Sequence, residues 1–155
     1  KATVIPIVSP LGELWGWQLK KVGWVRNYPE GVHKGDTLFG IERAHAPVAV
    51  LVESPLDVVR FHSVMGSDEY SAVASFGANI SSRQISIITD RFDGIIVALD
   101  NDKAGEIETR RLAKALPSFR RGIRYWKYPE NTKDIGDLST SQIVSGVETV
   151  SSLYV

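Results

Sequence analysis

Between residues 47 and 128, short apolar runs alternate with segments of helical periodicity, and this alternation limits the possible folds more than any other feature. The run VAVLV ends at Glu53, and a helical pattern follows from Pro55 to about Val64. SAVAS reads as a second strand and FGANIS as a loop. SRQISIITDRF reads as a helix with Ile85, Ile88 and Phe92 at helical spacing. GIIVAL is a third strand, ended by Asp100. GEIETRRLAKALP is an amphipathic helix in which Ile107, Leu112, Ala113 and Leu116 share a face and Pro117 marks the stop. GIRYWKY is a fourth strand, 129–137 a polar loop and STSQIVSGVETV a closing helix. Strand alternating with helix predicts an α/β fold: a mostly parallel sheet flanked by helices on both faces, with its ligand site outside the carboxyl ends of the strands.

The first 45 residues have a different texture. ATVIPIV is followed by a turn at Ser9, Pro10 and Gly12, then by ELWGWQLKKVGWV, with glycine and proline too frequent for a long helix. The chain therefore divides into a small β-rich part over 1–45 and an α/β domain over 46–155. Its 155 residues, 43% of them hydrophobic, suffice for one well-cored domain with a small appendage. The formal net charge is zero, so any affinity for a polyanion has to come from local patches. No cysteine is present, which excludes disulfides, cysteine-based zinc sites and thiol nucleophiles. Without a signal peptide or an apolar run of about 18 residues, a soluble, non-secreted protein with no membrane partner is expected. The chain begins at Lys1 with no methionine before it and reads as a piece of something longer.

In the expected topology Glu53, Asp100 and Asp102 all lie just past strand ends. Residues i and i+2 of an extended backbone point the same way, so Asp100 and Asp102 can aim at one point while Asn101 faces away. The loop KDIGDL brings Asp134 and Asp137 to the same edge, and four acids can then converge. Converging carboxylates repel, and a hard divalent cation is the usual resolution. Oxygen-only ligands favour Mg2+ or Mn2+ over zinc. Such ions serve phosphoryl transfer, holding the attacking and leaving oxygens in line. Each piece also has a local reading. Ser54, Pro55 and Asp57 fit a helix start, with Ser54 as N-cap, Pro55 at N1 and Asp57 reaching back as a capping box, a role compatible with supporting a site. Asp-Asn-Asp is also turn chemistry, and Asp134 and Asp137 fit solvated loop residues.

LVESPLD, VALDNDKAG and KDIGDL in this order resemble a TOPRIM domain, the fold shared by bacterial-type primases, topoisomerases and some nucleases; the resemblance covers residues 47 to about 145. Primases of this superfamily usually read E-G-x-x-D and D-G-D-x-A-G. Here the motifs are Glu53-Ser54-Pro55-Leu56-Asp57 and Asp100-Asn101-Asp102-Lys103-Ala104-Gly105. Ser54 in place of glycine is similar to some topoisomerases, whereas the Ala-Gly and the residues ahead of the fold are similar to primases. VIPIVSPLGELWGWQLK and RNYPEGVHKGDTLFGIERA resemble the segment that precedes TOPRIM in bacterial and phage primases. Lys133-Asp134 is similar to the phage helicase-primase form.

The resemblance implies the catalytic core of a DNA primase, a DNA-directed RNA polymerase that makes RNA primers on single-stranded DNA by two-metal nucleotidyl transfer. It implies Asp100, Asp102 and Asp134 as metal ligands, Glu53 as ligand or base toward a primer 3′-hydroxyl, and Asp57 in support. Lys20 matches an arginine of the family and Lys34 the lysine before G-x-x-L-x-G; both are implied to contact nucleotide phosphates or template. Arg26, near a further family lysine, and Lys103 complete the nucleotide- and DNA-binding set. The implied partners are ribonucleoside triphosphates, template and a replicative helicase in cis or trans, in the cytoplasm of a bacterial or phage-infected cell. Two other classes share the acids: a topoisomerase or nuclease that cleaves DNA, and a non-catalytic scaffold of the recombination-mediator type, against which the full acid set weighs. Arg110, Arg111, Lys114, Arg120, Arg121 and Arg124 form either a template-tracking surface or a solvated helix face. Trp15, Trp17, Trp24 and Trp126 suit base stacking or, for most of them, core packing. His33, His45 and His62 have no metal-site spacing, and His33 reads with Lys34 as a phosphate neighbour.

Overall fold

A computed structural model describes residues 1–152. The N-terminal strands β1 (Thr3–Val8), β2 (Leu14–Lys21) and β3 (Trp24–Tyr28) form an antiparallel sheet in chain order. Ile5 and Ile7 of β1 pack with Phe76 beneath it. Ahead of the second sheet, the chain makes two short 3-10 turns, Lys34–Asp36 and Ile41–Arg43.

Parallel strands need crossovers, and helices supply them here. The second sheet has the order β5-β4-β6-β7, all parallel: β4 (Val48–Val52), β5 (Tyr70–Ala74), β6 (Gly94–Val97) and β7 (Ile123–Tyr125). The helices are α1 (Pro55–Met65), α2 (Ser82–Arg91), α3 (Lys103–Ala115) and α4 (Thr140–Gly146). Alternate strand residues face opposite sides. Ala49, Leu51, Ile95 and Val97 meet Ile87 and Ile88 of α2 and Leu112 of α3. Val48, Val50, Val52 and Ile96 meet Val58 and Phe61 of α1 and Ile143 of α4. Both faces are covered, which is why β4 and β6 are apolar at every position. The expected mostly parallel sheet with flanking helices and a small β-rich sheet ahead of it is the observed architecture. Among the described residues no helix is long and apolar enough to cross a membrane.

Two helices differ from expectation. In α3 the buried stripe is Gly105, Glu108, Thr109 and Leu112, whereas Ile107 is 58% exposed. Glu108 sets that rotation: its carboxylate accepts the Ile80 N–H at 2.9 Å and pairs with Arg111. A helix face turned to bring residue 108 inward leaves 107 about 100° away. The closing helix ends at Gly146 rather than running to residue 150. A Cβ at Gly146 would lie 2.1 Å from the Trp126 ring, so the backbone approaches the indole there and the chain then turns to bridge Ser151 with Tyr125.

Three local devices join the parts. The fully buried Gln84, in a capping box with Ser81, donates from Nε2 to the carbonyls of Thr37 (2.9 Å) and Ser75 (3.1 Å), fastening the linking segment to the sheet. Leu38 and Ile41 of that segment enter the core against α2. On the outer strand β5, Phe39 bridges Ala74 and His62 Nε2 accepts the Ala72 N–H at 3.0 Å, with Nδ1 turned to the Gly66 carbonyl. Gln84→Ala strips buried carbonyls of their donor and is expected to cost about 2–3 kcal/mol; urea unfolding measures it, and a change below 0.5 kcal/mol, roughly that of an ordinary surface substitution, would count against the fastening.

Candidate metal centre

The strand order decides which acids meet. β4 and β6 are neighbours, so Glu53, one residue past β4, faces the chain leaving β6, and its Oε1 accepts the Asp100 N–H at 3.1 Å. Ser54 caps α1, its Oγ accepting from the Leu56 N–H, and Pro55 occupies the first turn. Asp57 makes no capping box. It is 4% exposed, and its Oδ1 accepts the Gly136 N–H at 3.0 Å, 79 residues away. Its oxygen is met by an N–H from the loop after β7 rather than by the N-cap backbone of its own helix, so the sequence-local role is corrected here.

The loop after β7 is organised by its own acids. Asp134 Oδ1 accepts the Asp137 N–H at 3.1 Å and caps a 3-10 turn, Ile135–Asp137, while Asp137 Oδ2 turns back to the Lys133 N–H at 2.8 Å. Asp102 is the N-cap of α3, its Oδ1 on the Gly105 N–H at 2.9 Å. Gly105 has a physical cause: a Cβ there would sit 1.9 Å from the Asp100 carbonyl oxygen, so only glycine lets α3 start against the Asp100 backbone.

One carboxylate oxygen each from Asp57, Asp100 and Asp134 then lie within 4.8 Å of one another. Glu53 adjoins this trio through the Asp100 N–H. Asp102 is spent partly on its cap and Asp137 on the loop, so the convergence of acids is narrower than expected and includes Asp57. The crowding shows in the proton equilibria. Burial, then the Asp100 charge, pushes Glu53 up to about 7. Burial, then Asp134 and Asp100, pushes Asp57 up to about 7. Asp100 is raised too, chiefly by burial and against the pull of Lys133. The Tyr128 hydroxyl, which donates to the Ala98 carbonyl at 2.9 Å, is driven well upward by burial and the same acids. Three converging carboxylates with no nitrogen or sulfur donor fit a hard divalent cation such as Mg2+ or Mn2+.

The expected basic residues fall in different places. Lys20 reaches from β2 to the start of α1, its Nζ donating to Ser54 Oγ at 3.0 Å. Lys34 donates to the Phe76 carbonyl at 3.3 Å, near the start of α2. Lys103 opens α3 and lines a cleft of about 500 Å³ with Asp100, Asp102, Arg110 and Lys127. Arg26 pairs across the strands with Leu19, on the face opposite Lys20, and lies 5.6 Å over the Trp24 ring. Among the tryptophans Trp126 is buried, but Trp17 (43%) and Trp24 (36%) are exposed, contrary to core packing for most of them. His33 is exposed and lies 3.9 Å from Asp36. Arg110, Arg111 and Arg120 pair with Glu106, Glu108 and Asp93, so that run is partly neutralised in place. Lys133, noted in the sequence only for the family likeness of Lys133-Asp134 and given no site role, has its Nζ 3.6 Å from Asp100 and 4.0 Å from Asp102; its place beside Asp134 was the available signal.

The Toprim-like family profile matches residues 50–139. The DNA primase of Rickettsia typhi is 28% identical over 139 residues, which are 81% of this chain and 23% of that protein, so the chain spans about a quarter of the relative. The catalytic core of the Escherichia coli primase superposes with a TM-score of 0.76 at 25% identity, over 95% of this chain and 50% of that one. The Aquifex aeolicus primase, comprising zinc-binding and RNA polymerase domains, gives a TM-score of 0.76 at 22% identity, over 96% and 40%. The primase fragment of the bacteriophage T7 primase-helicase gives 0.69 at 21%, over 92% and 58%. By that profile match the chain belongs to the Toprim-like family, and the relatives it resembles in sequence and fold are DNA primases.

Proposed function

We propose that this chain is the catalytic core of a DNA primase, joining ribonucleotides on a single-stranded DNA template by two-metal nucleotidyl transfer. The observation that carries the reading is the meeting of Asp57, Asp100 and Asp134 at the sheet edge of a chain that superposes over nearly its whole length on primase catalytic cores. Asp100 and Asp134 would hold a divalent cation with Asp57, and Asp102 would support it through the oxygen its cap leaves free. A bound cation would polarise the triphosphate and offset charge on the leaving pyrophosphate. Glu53, with its proton affinity raised to about 7, suits a general base near neutral pH. It takes the 3′-hydroxyl proton as that oxygen bonds to the α-phosphorus and the bond to pyrophosphate breaks. Lys20, held at the rim by Ser54, neutralises phosphate charge, and Lys34 and Lys103 extend that role to nucleotide or template. Arg26, on the other face of the small sheet, serves template at most. The substrates and partners are ribonucleoside triphosphates, single-stranded DNA and a replicative helicase, in a bacterial or phage-infected cell.

Asp100→Ala, placed in a primase polypeptide that includes this chain, should lower template-dependent oligoribonucleotide synthesis by about 100-fold, the order seen on removing one electrostatic stabiliser, with the circular dichroism spectrum unchanged. Undiminished synthesis would overturn the assignment. Nicking of supercoiled plasmid without nucleotides would move it to a DNA-cleaving enzyme.

The raised carboxyls also set a pH dependence. Ordinary values for these groups are 4.5 for Glu53 and 3.8 for Asp57, against about 7 when folded, so the folded protein holds protons that the unfolded chain has released. The stability they contribute is complete below the unfolded values and is lost as pH rises through the folded ones. Glu108, whose carboxyl is lowered by Arg111, acts only below its ordinary value of 4.5, outside this window. In EDTA the Tm should therefore fall from about pH 5 to about pH 8, Asp57→Asn should flatten the slope, and Mn2+ should raise the Tm most at the alkaline end. A Tm that climbs across that range in EDTA would contradict the crowding of charge.

A further inference from the structure

Lys133 has no part in the mechanism above, yet its ammonium lies closer to the acids than any other cationic group with a described ion pair. Its Nζ is 3.6 Å from Asp100 Oδ2 and 4.0 Å from Asp102 Oδ2. We propose that Lys133 is an exchangeable counter-ion, holding the Asp100 and Asp102 charges while no divalent cation is bound and passing to the polyphosphate of the incoming nucleotide once a cation takes those oxygens.

The side chain is fixed at its root and free at its tip. Its backbone is fastened to the Asp100–Asp102 turn: the Lys133 carbonyl accepts the Asn101 N–H, the Thr132 carbonyl accepts from Asn101 Nδ2 at 2.9 Å, and the Lys133 N–H donates to Asp137. Asn101, between the two acids, is thus the residue that anchors the lysine. The tip is different. The Lys133 side chain is 58% exposed while that of Asp100 is 14% exposed, and both Nζ–oxygen distances exceed a well-made hydrogen bond. An ammonium held by charge rather than by a fitted hydrogen bond can swing into solvent without disturbing the core.

A divalent cation on Asp100 needs the same oxygen region and repels the ammonium, so the two exclude one another. Lys20 and Lys103 are less suited to this exchange. Lys20 is hydrogen-bonded to Ser54 Oγ, and Lys103 lines the cleft on α3. A displaced Lys133 tip, rooted beside the acids, stays within a side-chain length of whatever anion the cation brings, and in the reading above that anion is a triphosphate. The exchange keeps the site near charge balance: ammonium on carboxylates before binding, cation on carboxylates and ammonium on phosphate after it.

This inference rests on the metal-binding reading, and the test separates the two. In the full chain, Mn2+ binding is measured by calorimetry for the unmodified protein, Lys133→Gln, Lys133→Arg and Asp100→Asn, first alone and then with a non-hydrolysable ribonucleoside triphosphate. Lys133→Gln should bind Mn2+ about fivefold more tightly, the order expected when the cation no longer has to displace one unit-charge attraction to Asp100 at ~4 Å in a largely aqueous environment. The same variant should bind the Mn2+-triphosphate several-fold more weakly, and Lys133→Arg should stay near the unmodified protein in both. Mn2+ binding that Asp100→Asn abolishes but Lys133→Gln leaves unchanged or weakens overturns the counter-ion. Tighter Mn2+ binding with undiminished triphosphate binding overturns the transfer to phosphate. No Mn2+ binding by the unmodified chain overturns the metal reading and this inference with it.

Discussion

Mutual repulsion among carboxylates is the interaction around which the sheet edge is organised. Three acid oxygens within 4.8 Å of one another, one of them on a residue almost wholly buried, cost free energy that the fold has to offset. It does so with backbone N–H groups, two of them drawn from distant segments and two from the acids' own turns. Glu53 takes that of Asp100, Asp57 that of Gly136, Asp134 that of Asp137 and Asp102 that of Gly105. The first two bonds tie the end of β4 to the chain leaving β6 and the start of α1 to the loop after β7, and the last two fix the start of α3 and that loop locally. A fold that kept those acids apart would be easier to stabilise and would have no use for a cation.

The small sheet contributes to that edge from a distance. Lys20 reaches the helix cap beside Glu53, and Gln84 fastens the intervening segment through the carbonyls of Lys34 and Thr37. On its other face Trp17 stacks on Tyr28, and Lys21 and Arg26 flank Trp24. The two faces thus separate an inner side, where Ile5 and Ile7 pack on Phe76 and Lys20 reaches the site, from an exposed aromatic and basic one, by the simple alternation of β-strand side chains.

Much of this was legible beforehand because it depends on local pattern. Apolar runs ending in Glu53 and Asp100 mark strands whose carboxyl ends share an edge, and Pro55 after Ser54 marks a helix start. What escaped reading depends on distance in the chain. Nothing near Asp57 announces Gly136, so a plausible capping box stood in for a tertiary bond. Ile107 fits an amphipathic stripe by periodicity, but the buried Glu108 carboxylate, engaged with Ile80 and Arg111, turned the helix away from it. Gly146 reads as an ordinary helix residue until the Trp126 ring is seen against its backbone. Lys133 looked like a neighbour of Asp134 alone and is a neighbour of Asp100 as well, because the loop folds back onto that turn.

The covered flanks of the parallel sheet have a consequence for assembly. Phe39 and the imidazole of His62 occupy hydrogen-bonding positions along β5, and Ser151 does the same for β7. A sheet whose outermost strands are already engaged offers little template for strand addition, which protects a chain rich in apolar β-segments from polymerising edge to edge.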